Sequence, residues 1–328
     1  MRRTLVVFLV LALAAAGLFV RQELQPVGNG PADVVDVEVP RGAPTSSVAR
    51  LLAERRLIRN PTLFRWLARV RRDAGRIQAG RYAIPRGLHA TAVLDLLVEG
   101  RTRLARIVVP EGLTAEAAAE VVAGQASFTA EEYLALARDT LLADSLGVPG
   151  PAFEGYLFPE TYFVDPSISA RDFVELQART FGEVFEPELA VRARAAGFSP
   201  RELVTLASIV EAEARVAAER PVISSVYHNR LRRGMPLEAD PTVQYALGGH
   251  RERVLYEDLE IDSPYNTYRN PGLPPGPIGS PGRASLEAAV EPDSTEYLFF
   301  FWIGDSLGTH TFSETYGEHL RKRAELGR

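Results

Sequence analysis

Three segments of the chain repeat one pattern, and that pattern limits what the first half can fold into. V-E-V-P-R-G at 37–42, Y-A-I-P-R-G at 82–87 and I-V-V-P-E-G at 107–112 each read as a strand that stops at proline and turns through glycine. Proline cannot donate to a sheet ladder, and Pro-x-Gly is a ready turn. Helical spacing follows each one: Val48, Leu51, Leu52 and Leu57; then Val93, Leu94 and Leu97; then Ala118, Val121 and Val122. One such turn would be commonplace. Three point to a small repeated module of alternating strand and helix.

From about Pro149 the character changes to aromatic-rich strands and loops around long helices, which puts a domain boundary between roughly residues 115 and 150. A chain of 328 residues has room for two domains and an anchor. The anchor reading rests on Met1-Arg2-Arg3 followed by an unbroken apolar run from Thr4 to Val20. That is roughly 17 residues against the ~20 of a spanning helix. The positive residues before the run place the N-terminus in the cytoplasm and the rest outside, across the plasma membrane in a single pass. A cleaved signal peptide ending near Ala14-Ala15-Ala16 is the competing reading. Residues 22–33, with Pro26, Gly28, Gly30 and Pro31, read as a linker, so folded structure is expected from Val34.

The formal net charge of −5 argues against a nucleic-acid binder, which would carry a basic surface. No cysteine is present, so disulfides and thiolate chemistry are excluded. Arginine supplies nearly all the positive charge; Lys322 is the only lysine.

Ser199-Pro200-Arg201-Glu202 combines an N-cap serine, proline at the first helical position and glutamate at N3, so a helix starts there. Leu203, Leu206, Ala207, Val210 and Ala214 give it one apolar face. At about 100° per residue Glu211 falls on the border of that stripe, where partial burial would raise its pKa toward that of a proton donor. An ordinary surface ion pair with Arg215, four residues on, explains the same helix. Glu213 lies about 200° around the axis, too far to share a cleft with Glu211. Downstream, Val222 to Leu231 continue a second helix that Gly234 can cap, Asp240-Pro241 reads as an N-cap followed by proline, and Tyr297 to Ile303 reads as a buried strand with His310 to Phe312 beside it. His310 is read as structural. The proline-rich stretch 263–282 carries Tyr265, Asn266 and Tyr268, which suit sugar rings and hydroxyls, although rigid loop packing accounts for them equally. The aromatic and acidic cluster 153–162 offers a second wall for the same groove.

Taken together, A-S-I-V-E at 207–211, D-P-T-V-Q-Y at 240–245, Y-N-T-Y at 265–268, G-L-P-P-G-P-I at 272–278 and E-G-Y-L-F-P-E-T-Y at 154–162 resemble the MltG (YceG-like) family of endolytic murein transglycosylases. The resemblance implies an α+β protein: an N-terminal transmembrane helix (1–21), a linker (22–33), a small LysM-like α/β module with connecting helices (34–148) and a mixed α+β catalytic domain (149–328). It makes Glu211 the catalytic acid/base. It makes Glu154, Tyr156, Glu160, Asp240, Gln244, Tyr265, Asn266 and Tyr268 the candidate substrate-binding set. One departure is Ala212, where the family often has lysine, which puts in doubt any role for that neighbour.

The implied substrate is peptidoglycan glycan strands, cut between MurNAc and GlcNAc with 1,6-anhydro ends, and the implied protein partners are peptidoglycan synthases or division proteins. No cofactor or metal is implied. A pyridoxal-phosphate lyase would need a Schiff-base lysine, and Lys322 in a charged tail is a poor one. Two further readings stay open: a hydrolase with Glu160, Asp240 or Glu154 as second carboxylate, and a non-catalytic wall-binding scaffold.

Overall fold

The computed structural model describes residues 22–27, 33–100, 105–164, 166, 168–185, 188–249 and 254–327. The anchor or signal reading of residues 1–21 lies outside the described residues. No described helix is long and apolar enough to cross a membrane. The chain forms two compact units, one of Met1–Val108 with Thr161–Ile168 and one of Val109–Glu160 with Ser169–Arg328.

In the first unit β1 (Val34–Val39) pairs antiparallel with β2 (Gly80–Pro85), and between them lie α1 (Thr45–Glu54) and α2 (Pro61–Val70). The strands alternate as a half-covered sheet must: Val37 and Val39 are buried and Glu38 is exposed, with Tyr82 opposite Val37. They pack on Val48, Leu52, Phe64 and Ala68 of the helices. Helix α3 (Ala90–Glu99) adds Val93, Leu94 and Leu97, and β3 (Ala105–Val108) pairs antiparallel with β4 (Thr161–Val164). Each of the three Pro-x-Gly segments does follow a strand and precede a helix.

Two expectations shift here. Folded structure begins before Val34, because Leu24 packs on the core and its carbonyl accepts from the Ala90 N–H at 3.0 Å. The boundary between units falls at residue 108 rather than between 115 and 150. Residues 109–160 join the second unit through backbone bonds: Gly112 N–H to Ser280 O and Ser280 N–H to Leu113 O, both 2.8 Å.

The second unit holds α4 (Ala115–Ala123), α5 (Ala130–Ala137), α6 (Thr140–Ser145), α7 (Ala170–Phe185), α8 (Glu188–Ala195), α9 (Pro200–Glu213), α10 (Arg220–Arg232), α11 (Asp240–Ala246), α12 (Arg283–Val290) and α13 (Tyr316–Glu325). The capping box of Ser199 and Glu202 opens α9 as expected. The helix is not amphipathic, however: residues 203–210 are all buried, because α9 lies inside the unit rather than on its surface. Its buried Thr205 and Ser208 hydroxyls donate to Arg201 O and Thr205 O, so neither hydroxyl is stranded.

Gly234 follows α10 in the left-handed region (φ 64°). Asp240 is not an N-cap; Ala239 holds that position, and the Asp240 carboxylate accepts from the Tyr268 hydroxyl at 2.6 Å. The expected buried strand is shorter and half-buried: β5 (Phe299–Trp302) pairs antiparallel only with β6 (His310–Ser313), and a two-stranded sheet leaves surface open. Lys322, on α13, donates to Phe312 O.

Gly155 combines a left-handed φ of 85° with no room for a side chain, since a Cβ there would meet the Pro277 ring at 2.4 Å. Both effects act against alanine, and the left-handed backbone alone costs about 1–2 kcal/mol. Gly155→Ala is expected to lower the urea midpoint by at least that equivalent with an unchanged m-value; an unaltered midpoint would count against this packing.

Candidate active site

Glu211 sits two residues before the end of α9, where the helix leaves the core. Its Oε1 accepts from Arg220 Nη2 at 2.8 Å, and its Oε2 accepts from the Gly282 N–H at 3.0 Å. The side chain is only 7% exposed and that of Arg220 13%. Arg220, the first residue of α10, also donates through Nε to the buried Ser285 Oγ at 3.0 Å. Gly282 is the N-cap of α12, so the carboxylate lies at the positive end of that helix. Three helix ends thus converge on one carboxylate.

Glu111 completes this cluster. Its Oε2 lies 3.8 Å from the same Arg220 Nη2, and its side chain is 49% exposed. The carboxyl lies against Gly282 so closely that a Cβ there would fall 1.9 Å from Glu111 Oε1. Burial raises the Glu111 carboxyl above its ordinary value, and the charge of Glu211 adds to this while Arg220 opposes it.

A second cluster shares the loop that carries Glu111. Glu154 accepts from the Ala115 N–H at 3.2 Å through each oxygen, and the Tyr245 hydroxyl donates to it at 3.4 Å. Burial pushes its carboxyl up to about 7. The Tyr245 ring meets that of Tyr265 at 4.8 Å between centroids.

The remaining candidates divide. Tyr156 is fully buried, edge-on to Phe181 in the core, and does not line a groove. Asn266 is also fully buried; its Nδ2 donates to Leu259 O and Ile261 O, and its Oδ1 accepts from the Tyr268 N–H, so it shapes the loop from within. Asp240 and Tyr268 bond to each other. Gln244 is half-buried on α11, and Glu160 is half-buried with its charge felt by Glu111.

Arg215 is not the partner of Glu211: its guanidinium lies over Trp302 at 4.8 Å. Glu213 faces away, accepts from the Tyr227 hydroxyl at 2.9 Å and is pushed up to about 7 by burial. His310 bonds to Glu219 at 2.8 Å and packs against Phe300.

Arg220, Glu111, Gly282 and Tyr245 escaped the sequence reading. Tyr245 stood inside the D-P-T-V-Q-Y motif, and Glu111 inside the third Pro-x-Gly segment, where it read only as a turn. Arg220 lies nine residues beyond Glu211 across a helix break, and no periodicity spans such a break.

A sequestered carboxylate gripped by a guanidinium and a helix N-terminus, with a second carboxyl beside it, is an arrangement able to hold and exchange a proton, and Tyr245 and Tyr265 flank the neighbouring Glu154 cluster. The YceG-like family model matches residues 37–325, and the chain belongs to that family. It is 36% identical to an endolytic murein transglycosylase of Bacillus subtilis (strain 168) over 95% of this chain and 90% of that protein. It is 30% identical to one of Streptococcus pneumoniae over 97% of this chain, spanning 64% of that longer protein. A crystal structure of a yceG-like protein from Listeria monocytogenes superposes with a TM-score of 0.62 at 31% identity, over 88% of this chain and 98% of that one.

Glu154 and Glu213 give the stability a definite pH dependence. Each holds its proton to about 7 when folded, against 4.5 when solvated. Between those values the folded state binds more protons than the unfolded chain, so stability falls as pH rises through the window and levels off above it. Melting temperature is expected to decline from about pH 4.5 to 7, and the Glu154→Gln/Glu213→Gln double variant to flatten that slope. A double variant as steep as wild type would refute the assignment.

Proposed function

We propose that this protein is an endolytic murein transglycosylase that cuts MurNAc-GlcNAc bonds within nascent glycan strands, with Glu211 as its acid/base. The observation that carries the reading is the grip of Arg220 and the Gly282 N–H on Glu211, in a chain related to proteins of that activity.

In the reaction, Glu211 gives a proton to the oxygen leaving C1 of MurNAc as that C–O bond breaks. The 6-hydroxyl of the same sugar attacks C1, its proton passes to the Glu211 carboxylate, and a 1,6-anhydro end forms. Arg220 and the Gly282 N–H stabilise the carboxylate present between the two transfers. Intramolecular attack has a high effective molarity, so no activated water is needed. Glu154, Tyr245 and Tyr265 offer a carboxyl and ring faces for neighbouring sugars.

The strand-helix-helix-strand order of β1, α1, α2 and β2 supports a LysM-like glycan-binding module in the first unit. The charged start and apolar run of residues 1–20 support a single-pass anchor with the site outside the membrane, beside peptidoglycan synthases or division proteins.

Glu211→Gln keeps the shape and removes the proton. On uncross-linked glycan strands it is expected to lower the yield of anhydro ends by about 10²–10⁴-fold, read by mass spectrometry, with a cooperative thermal transition retained at a lowered midpoint, because the amide offers Arg220 and Gly282 one acceptor instead of two. Reducing ends from wild type would replace this reaction with hydrolysis; undiminished cleavage by the variant would remove Glu211 from the chemistry.

A further inference from the structure

Glu211 presents a difficulty for the reaction just described. Both of its oxygens are acceptors, from a permanently charged guanidinium and from a backbone N–H, and its side chain is nearly sequestered. Those two donors occupy the very oxygens on which the first step requires a proton.

The nitrogen that grips it is poised between two carboxyls. Arg220 Nη2 lies 2.8 Å from Glu211 Oε1 and 3.8 Å from Glu111 Oε2. Its Nε stays anchored on Ser285, so a short swing about that anchor exchanges one partner for the other. Gly282 serves both sides: its N–H binds Glu211, and its missing side chain gives Glu111 room to stand there. Glu111 is the more exposed of the two acids and the one open to solvent protons.

We propose that Glu111 is a positioning residue that holds the catalytic proton in reserve, with Arg220 passing between the two carboxylates as the proton passes the other way. With the proton on Glu111, Arg220 pairs with Glu211. When the proton moves to Glu211, Arg220 Nη2 shifts to the newly ionised Glu111, so one proton and one guanidinium are conserved throughout. Glu211 then gives its proton to the leaving oxygen, Arg220 turns back to the carboxylate so formed until it recovers a proton from the 6-hydroxyl, and the pair returns to its starting charge. The groups facing the pair are Arg220, the Gly282 N–H at the start of α12, and Glu160, whose negative charge also favours a proton on Glu111. The upward displacement of the Glu111 carboxyl by burial and by Glu211 agrees with this arrangement.

The inference rests on the transglycosylase reading, and kinetics of the full chain on uncross-linked glycan strands separate the two. Glu111→Gln cannot draw Arg220 away. Its kcat is expected to fall by about 10–100-fold with KM within about threefold, and its pH optimum to move toward acid. An unchanged kcat and optimum, or a loss confined to KM, would overturn the proposal while leaving Glu211 in place. Should the glutamine variant lose its thermal transition, Glu111→Asp decides: it is expected to be slower but to keep the wild-type pH profile, and an acid-shifted profile would overturn the proposal. Wild type that yields no anhydro ends would instead refute the function itself.

Discussion

The second unit is organised by the burial of α9 on every side. A helix enclosed through residues 203–210 cannot expose a polar face along its length, so its polar groups are confined to its ends. At one end Ser199 and Glu202 close the capping box; at the other the chain emerges with Glu211. The interior exceptions, Thr205 and Ser208, turn their hydroxyls onto the helix's own carbonyls, and Ser208 also accepts from the Ile278 N–H at 3.1 Å, which ties the proline-rich loop to the core. The position of Glu211 therefore follows from the packing of the helix behind it, and its surroundings from the helices whose first turns meet it there.

That arrangement gives a carboxylate a rigid seat without a dedicated scaffold of loops. Arg220 and Gly282 each belong to the start of a helix packed on α9, so the groups that hold Glu211 are fixed by the same apolar contacts that fix the core. The loop from Glu111 to Ala115 then crosses both acidic clusters, bonded to Ser280 midway, so that Glu211 and Glu154 are addressed by neighbouring residues of one segment.

Much of this was legible from local chemistry. The capping box, the strand-turn-helix repeats and the pairing of the last two strands depend on near neighbours, and residue type and spacing record those directly. What depended on distant packing was not. Alternating a buried and an exposed face is only one way to read Leu203, Leu206 and Val210; that the intervening Val204 and Ile209 are equally enclosed is decided by helices far along the chain. Aromatic and amide side chains serve sugars, which points Tyr156 and Asn266 to a groove, yet both lie inside, one as core and one as a loop staple. Arg220 came into contact with Glu211 through tertiary folding alone.

The identity of the cation at the site has its own consequence. Arginine side chains keep their proton across the range proteins meet, and the chain's single lysine, on α13, is occupied with Phe312 O of β6. The attractive half of the Glu111–Arg220–Glu211 cluster is thus constant, and acids alone set how its charge varies. The response of such a site to acidity is therefore governed by the number of protons shared among its carboxyls.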